Sequence, residues 1–148
     1  YFEAVDLPEL WDFFTILPTT VVVDHMGRPD VSKPLDGTEF ELFVRFMREH
    51  PNVWSKVSCP ERLSVTGPKA LQGEASAYRD VLPFARRIVE TFSDRVLWGT
   101  DWPHPNLKDH MPDDGLLVDF IPHIATTPDL QQKMLVTNPT RLYWPEAC

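Results

Sequence analysis

The sequence predicts an α/β fold built on a parallel sheet, and within that class a part of a (β/α)8 barrel. Three observations lead there. Short β-branched runs alternate with stretches whose apolar residues recur at helical spacing. The residues with chemical potential, His25, Arg62, Asp101 and His104, each follow the C-terminal end of such a strand, where parallel α/β folds gather their sites. A complete eight-stranded barrel needs roughly 250 residues, whereas the chain has 148 and room for about three strands, so about half a barrel is expected.

The first strand is Val21, Val22 and Val23, entered from a Leu17-Pro18-Thr19-Thr20 turn and stopped at Gly27-Arg28-Pro29. An uninterrupted apolar strand implies burial on both faces, as parallel sheets require. A capping box then reads from Thr38 as N-cap to Glu41 at the third helical position, and Phe40, Phe43, Val44 and Met47 form one apolar stripe. Residues 52–58 give a second strand. A second stripe follows in Tyr78, Val81, Leu82, Ala85, Val89 and Phe92, with Pro83 marking a helix start or a kink. Residues 95–99 form the last strand and deliver Thr100 and Asp101. Two more helices are expected over 115–125 and 128–137, the latter capped by Thr127 with Pro128 in its first turn.

Composition narrows the function. The 15 prolines against 6 glycines imply stiff, defined connections without a flexible linker, and residues 1–148 read as a single partial domain. With a net charge of −8 and no run of basic residues, nucleic acid is not an expected partner. An acidic chain also repels anions at long range, so an acidic substrate must meet locally gathered arginines. No apolar stretch of about 18 residues is present, so no membrane partner is expected. Two cysteines, Cys59 and Cys148, are too few for a disulfide framework and fit a reducing compartment, the cytoplasm. The chain starts at Tyr1 and has no basic-then-apolar leader, which suggests a piece of a longer parent.

Asp101, set between Trp98 and Trp102, is a partly desolvated carboxylate suited to general-base work, or else a turn cap. His104, in a proline-stiffened loop, is a hydrogen-bond donor to substrate or an exposed residue. His25 can be a metal ligand, a proton carrier, an electrophile or a structural residue, with Asp24 orienting its ring or serving the turn. Arg62 offers parallel donors to a carboxylate or pairs with its neighbour Glu61. The amine of Lys56 is expected in water above a packed stem. Cys59 near His25 imitates a Cys–His nucleophile pair, although no third orienting group is evident.

Four segments together resemble the amidohydrolase superfamily, and within it the branch of pyrone-dicarboxylate lactonases. They are residues 23–30 (Val-Asp-His-Met-Gly-Arg-Pro-Asp), 56–62 (Lys-Val-Ser-Cys-Pro-Glu-Arg), 98–106 (Trp-Gly-Thr-Asp-Trp-Pro-His-Pro-Asn) and the closing 138–144 (Asn-Pro-Thr-Arg-Leu-Tyr-Trp). The resemblance covers essentially the whole chain and implies the C-terminal half of the barrel. It also implies hydrolysis of 2-pyrone-4,6-dicarboxylate in the bacterial breakdown of lignin aromatics by protocatechuate 4,5-cleavage. By the same resemblance Asp101 activates water and His25 faces the lactone, while Arg62, His104 and Tyr1 contact the substrate. No cofactor is implied for this branch; other branches hold one zinc or manganese ion, for which His25 and Asp101 are the candidate ligands. The expected partners are a small dicarboxylate lactone and the N-terminal half of the same barrel. The family's first-strand His-x-His pair and its further arginines are absent from the 148 residues, so the isolated chain is expected to be inactive, or an assembly module.

Overall fold

The computed structural model describes residues 2–68, 77–107 and 111–147. Three parallel strands, β1 (Val21–Val23), β2 (Val53–Val57) and β3 (Val96–Trp98), lie side by side in that order. Val21 pairs with Val53 and Val23 with Ser55, while Ser55 pairs with Val96 and Val57 with Trp98. The central strand carries the burial that an apolar parallel strand requires: Val53, Trp54, Ser55 and Val57 are all inside. On β1 only Val23 is fully buried, because among the described residues that strand has a neighbour on one side alone. The expectation of burial on both faces therefore holds for β2 and fails for β1.

Helices connect the strands. The helix α1 (Leu7–Thr15) precedes β1, α2 (Thr38–Glu49) joins β1 to β2, a single turn α3 (Pro60–Leu63) follows β2, and α4 (Leu82–Thr91) leads to β3. Beyond β3 come α5 (Asp114–Asp119), α6 (Ile121–Ile124), α7 (Pro128–Gln132), a π-helical turn (Lys133–Thr137) and α8 (Asn138–Tyr143). The α2 stripe is buried as its spacing requires, with Phe46 added to Phe40, Phe43, Val44 and Met47. Its start differs by one residue. Gly37 is the N-cap, and Glu41 turns outward to Arg87 of α4 at 2.6 Å, so the reciprocal capping box does not form. Ring contact between Phe40 and Phe84, 4.9 Å apart, ties the same two helices on their inner sides.

Pro83 marks a helix start, since α4 begins at Leu82 and Tyr78 stands before it with φ of 55°. The single helix expected over 115–125 is two, broken at Phe120 with Pro122 in the first turn of α6. Thr127 caps α7 as expected, its hydroxyl accepting from the Leu130 amide at 3.2 Å. The α1 helix was not anticipated. Its signal was present: Leu7, Leu10, Trp11 and Phe14 follow the i, i+3, i+4, i+7 rule behind Pro8, and all four meet the core.

At Gly27, φ is +68° and an added Cβ would lie 2.9 Å from the Phe43 ring. Glycine is needed there twice over, for the left-handed backbone and for the close approach of the turn after β1 to α2. That close packing holds His25 at the end of its strand.

Candidate functional site

Each strand ends in a side chain presented from left-handed backbone: His25 after β1 (φ 55°), Cys59 after β2 (φ 65°) and Asp101 after β3 (φ 68°). Non-glycine residues in this region carry strain on the order of 1–3 kcal/mol and persist where surrounding contacts over-determine them. Strained backbone at the C-terminal ends of three adjacent parallel strands is a mark of a functional site, and here it turns three side chains toward one another.

At the centre stands the Arg62 guanidinium, from α3. Its Nε donates to Cys59 Sγ at 2.7 Å, and one terminal nitrogen lies 2.9 Å from Asp101 Oδ2 and 3.1 Å from His25 Nε2. The other terminal nitrogen donates to the Pro105 carbonyl at 3.4 Å. His25 Nε2 also lies 3.5 Å from Asp101 Oδ1. The structure thus brings Asp101, His25 and Arg62 together around one point. The pairing of Arg62 with Glu61 does not occur, because Glu61 points the opposite way, to His104.

The His25 ring is set by Ser58, whose hydroxyl is 2.8 Å from Nδ1, and Asp24 is not its orienting group. Asp24 takes the Lys56 ammonium at 2.5 Å instead, so that amine is paired. Burial is the main cause that holds the His25 imidazole below its usual range; the Asp101 carboxylate opposes it and the Arg62 cation adds to it. His25 is therefore neutral at physiological pH. The Cys59 thiol is pushed up to about 12, chiefly by burial and in spite of the Arg62 hydrogen bond. A thiol held that firmly protonated is a poor nucleophile, which removes the Cys–His pair.

Asp101 is less enclosed than its tryptophan neighbours suggest, because Trp102 is 75% exposed. Its Oδ2 accepts no well-aligned hydrogen bond among the described residues although it faces Arg62. That leaves acceptor capacity on the carboxylate. His104 lies elsewhere: its Nδ1 is 3.2 Å from Glu61 Oε1 and its Nε2 is 3.2 Å from Asp114 Oδ1, deep in the structure. Tyr1 lies outside the described residues. Ser58 and Asp114 were not singled out by sequence, Glu61 was named only as a partner for Arg62, and only strand-end position could have flagged Ser58.

Ligand atoms of His25, Cys59 and Asp101 lie within 4.8 Å of one another, a spacing that a metal ion can use. An ion there would have to compete with Arg62, however. The Arg62 guanidinium already contacts all three, and a second cation at that point would displace it from Asp101.

A family described as Amidohydrolase matches residues 1–144. The chain belongs to the amidohydrolase family. It is 84% identical, over 99% of its length, to 2-pyrone-4,6-dicarboxylate hydrolase of Comamonas testosteroni, and covers 48% of that protein. It is 34% identical, over 97% of its length, to 4-sulfomuconolactone hydrolase of Hydrogenophaga intermedia, and covers 45% of it. Among solved structures, a probable 2-pyrone-4,6-dicarboxylic acid hydrolase from Acinetobacter baumannii, with citric acid bound, superimposes with a TM-score of 0.71 at 24% identity. That likeness covers 95% of this chain and 49% of the other, and it shows the fold. The chain thus spans about half the length of the curated relatives it matches, in keeping with a partial barrel. Among the described residues no helix is long and apolar enough to cross a membrane.

Proposed function

We propose that this chain is the C-terminal half of a hydrolase that opens a carboxylate-bearing lactone of the 2-pyrone-4,6-dicarboxylate kind. The observation that carries the reading is Asp101 held between a neutral His25 and the Arg62 cation at one mouth of a parallel sheet. The N-terminal half of the same barrel is the partner that completes the site, and the small dicarboxylate lactone is the substrate. Neither nucleic acid nor membrane has a part in it. The enzyme works in the cytoplasm, in the bacterial breakdown of lignin-derived aromatics.

A pyrone lactone is an activated ester with an enol leaving group, so its carbonyl is more electrophilic than an amide's. Asp101 takes a proton from water, and the water oxygen bonds to the ring carbonyl carbon. A positioned carboxylate base contributes roughly 10²–10⁴-fold. With Arg62 beside it, His25 Nε2 accepts from the guanidinium. When a substrate carboxylate draws Arg62 away, the tautomer in which Ser58 donates to Nδ1 leaves a hydrogen on Nε2, beside Asp101, to donate to the developing oxyanion. Arg62 presents parallel donors to a substrate carboxylate. Collapse of the tetrahedral intermediate breaks the ring C–O bond, and the leaving oxygen receives the proton held by Asp101. Substrate contacts from Tyr1 and from the missing half would complete the set, whereas His104, enclosed by Glu61 and Asp114, is turned away from it. No metal takes part in this scheme.

Asp101→Asn in the full-length protein should lower turnover by about 10²-fold or more while substrate binding, read by calorimetry, stays close to wild type. Turnover at the wild-type rate would refute the base assignment. The His25, Cys59 and Asp101 cluster favours a second reading, a hydrolase or decarboxylase with one zinc or manganese ion on His25 and Asp101. Loss of activity on chelation, restored by either ion, would support it.

A further inference from the structure

We infer that Glu61 and His104 are positioning residues that hold the loop carrying Asp101, a role that rests on the reading of Asp101 as the base. The loop needs such support. Asp101, His104 and Asn106 all have left-handed backbone, with φ of 68°, 58° and 73°, and between Asp101 and Asn106 only His104 is buried. The loop's own hydrogen bonds are few. The Trp102 amide donates to Thr100 Oγ1 at 3.2 Å and the His104 amide to the Asp101 carbonyl at 2.8 Å.

His104 is the loop's anchor. Its side chain is 1% exposed and that of Glu61 is 0% exposed. The two ring nitrogens face Glu61 and Asp114, so the imidazole is clamped between α3 and the start of α5. Through its own amide it fixes the Asp101 carbonyl, and with that the direction in which the Asp101 side chain leaves the backbone. The neighbouring residues Glu61 and Arg62 therefore act on the same target by two routes. Arg62 reaches the Asp101 carboxylate directly, and Glu61 reaches the Asp101 backbone by way of His104.

The chemistry of the clamp is consistent with a fixed rather than a substrate-facing imidazole. Two carboxylates accept from both ring nitrogens when the ring carries both hydrogens; otherwise Glu61 must bring the proton itself. Burial, the main cause, pushes the Glu61 carboxyl up, which eases that proton sharing. With both nitrogens engaged and the ring sealed from solvent, His104 has no donor left for a ligand at the mouth of the sheet.

The test is steady-state kinetics with the full-length enzyme. His104→Ala should lower kcat by about 10²-fold, the scale of a misplacement of about 1 Å, with KM within about twofold of wild type. His104→Gln, which keeps a donor and an acceptor, should recover most of that loss. Glu61→Gln reads the same split in a variant that keeps its shape, and decides the matter if the alanine variant does not fold. A rise in KM at unchanged kcat would make His104 a substrate contact and overturn the inference, as would wild-type kinetics in both His104→Ala and Glu61→Gln. Asp101→Asn run in parallel separates the two ideas. If it is inactive while the His104 and Glu61 variants are normal, the positioning role fails and the base assignment stands; if it remains active, the base assignment itself fails.

Discussion

Arg62 touches three partners that differ in chemistry: a neutral thiol, a neutral imidazole and a carboxylate. Only the last balances its charge, and of the five guanidinium N–H donors the contacts with Cys59, His25, Asp101 and Pro105 leave one for an incoming anion. His25 gives this microenvironment a pH signature. Its folded-state pKa lies below the 6.5 of an unperturbed imidazole, first because of burial. As pH falls through 6.5 the unfolded chain takes up the proton while the folded one still refuses it. Stability should therefore decline below pH 6.5 and level off once the folded imidazole titrates. Urea midpoints of the full-length protein at pH 7.5 and 5.5, compared with a His25→Gln variant, check this: the variant should lose part of the slope. At this scale the sequence was only half legible. Asp101, His25 and Arg62 could be picked out because strand ends and local motif mark them. The roles of Ser58 and Glu61 could not, since each depends on a residue that only the fold brings close, His25 after the neighbouring strand and His104 in the loop after β3.

Elements were legible where periodicity is strong. The α2 stripe buries the residues its spacing nominates, while in α4 Ala85 and Val89 are inside as nominated, Leu82 is half-buried, and Phe84 and Ile88 join the core without having been nominated. The N-cap of α2 slipped by one because Gly37 and Thr38 both suit the position. What joins the elements is less visible. Arg95, just before β3, donates to the carbonyls of Met47 and His50 and, at 2.7 Å, to that of Val53. It satisfies the C-terminal end of α2 and stitches that end to the start of β2 and β3, a task that water does for most helices. Arg95→Leu should cost roughly 1.5–3 kcal/mol, the range for hydrogen bonds to a charged group, seen as a lower denaturation midpoint of the full-length protein. An unchanged midpoint would show that the three carbonyls find other donors.

For the molecule as a whole, the fold class could be read from the alternation of strand and helix, and its incompleteness from length against the size of a barrel. The consequence lies at the sheet's margins. Among the described residues both β1 and β3 have a partner on one side only, and unpaired strand edges recruit other chains. Expressed alone, the 148 residues should form aggregates or ill-defined oligomers. Co-expressed with the N-terminal half of the Comamonas testosteroni relative, they should elute from a sizing column as a defined one-to-one complex. A stable monomer of the isolated chain would contradict this.

The pairing of Val21 with Val53 and of Ser55 with Val96 also bears on time. Each rung of the sheet joins positions far apart along the chain, with a helix to be laid down in between, so closure entropy is spent before any rung can form. Assembly of such a sheet is slow compared with its helices, and the nascent polypeptide dwells with adhesive margins uncovered. Exposure to unwanted pairing during synthesis is thus an expected consequence of parallel strand pairing itself, whatever chemistry the finished pocket performs.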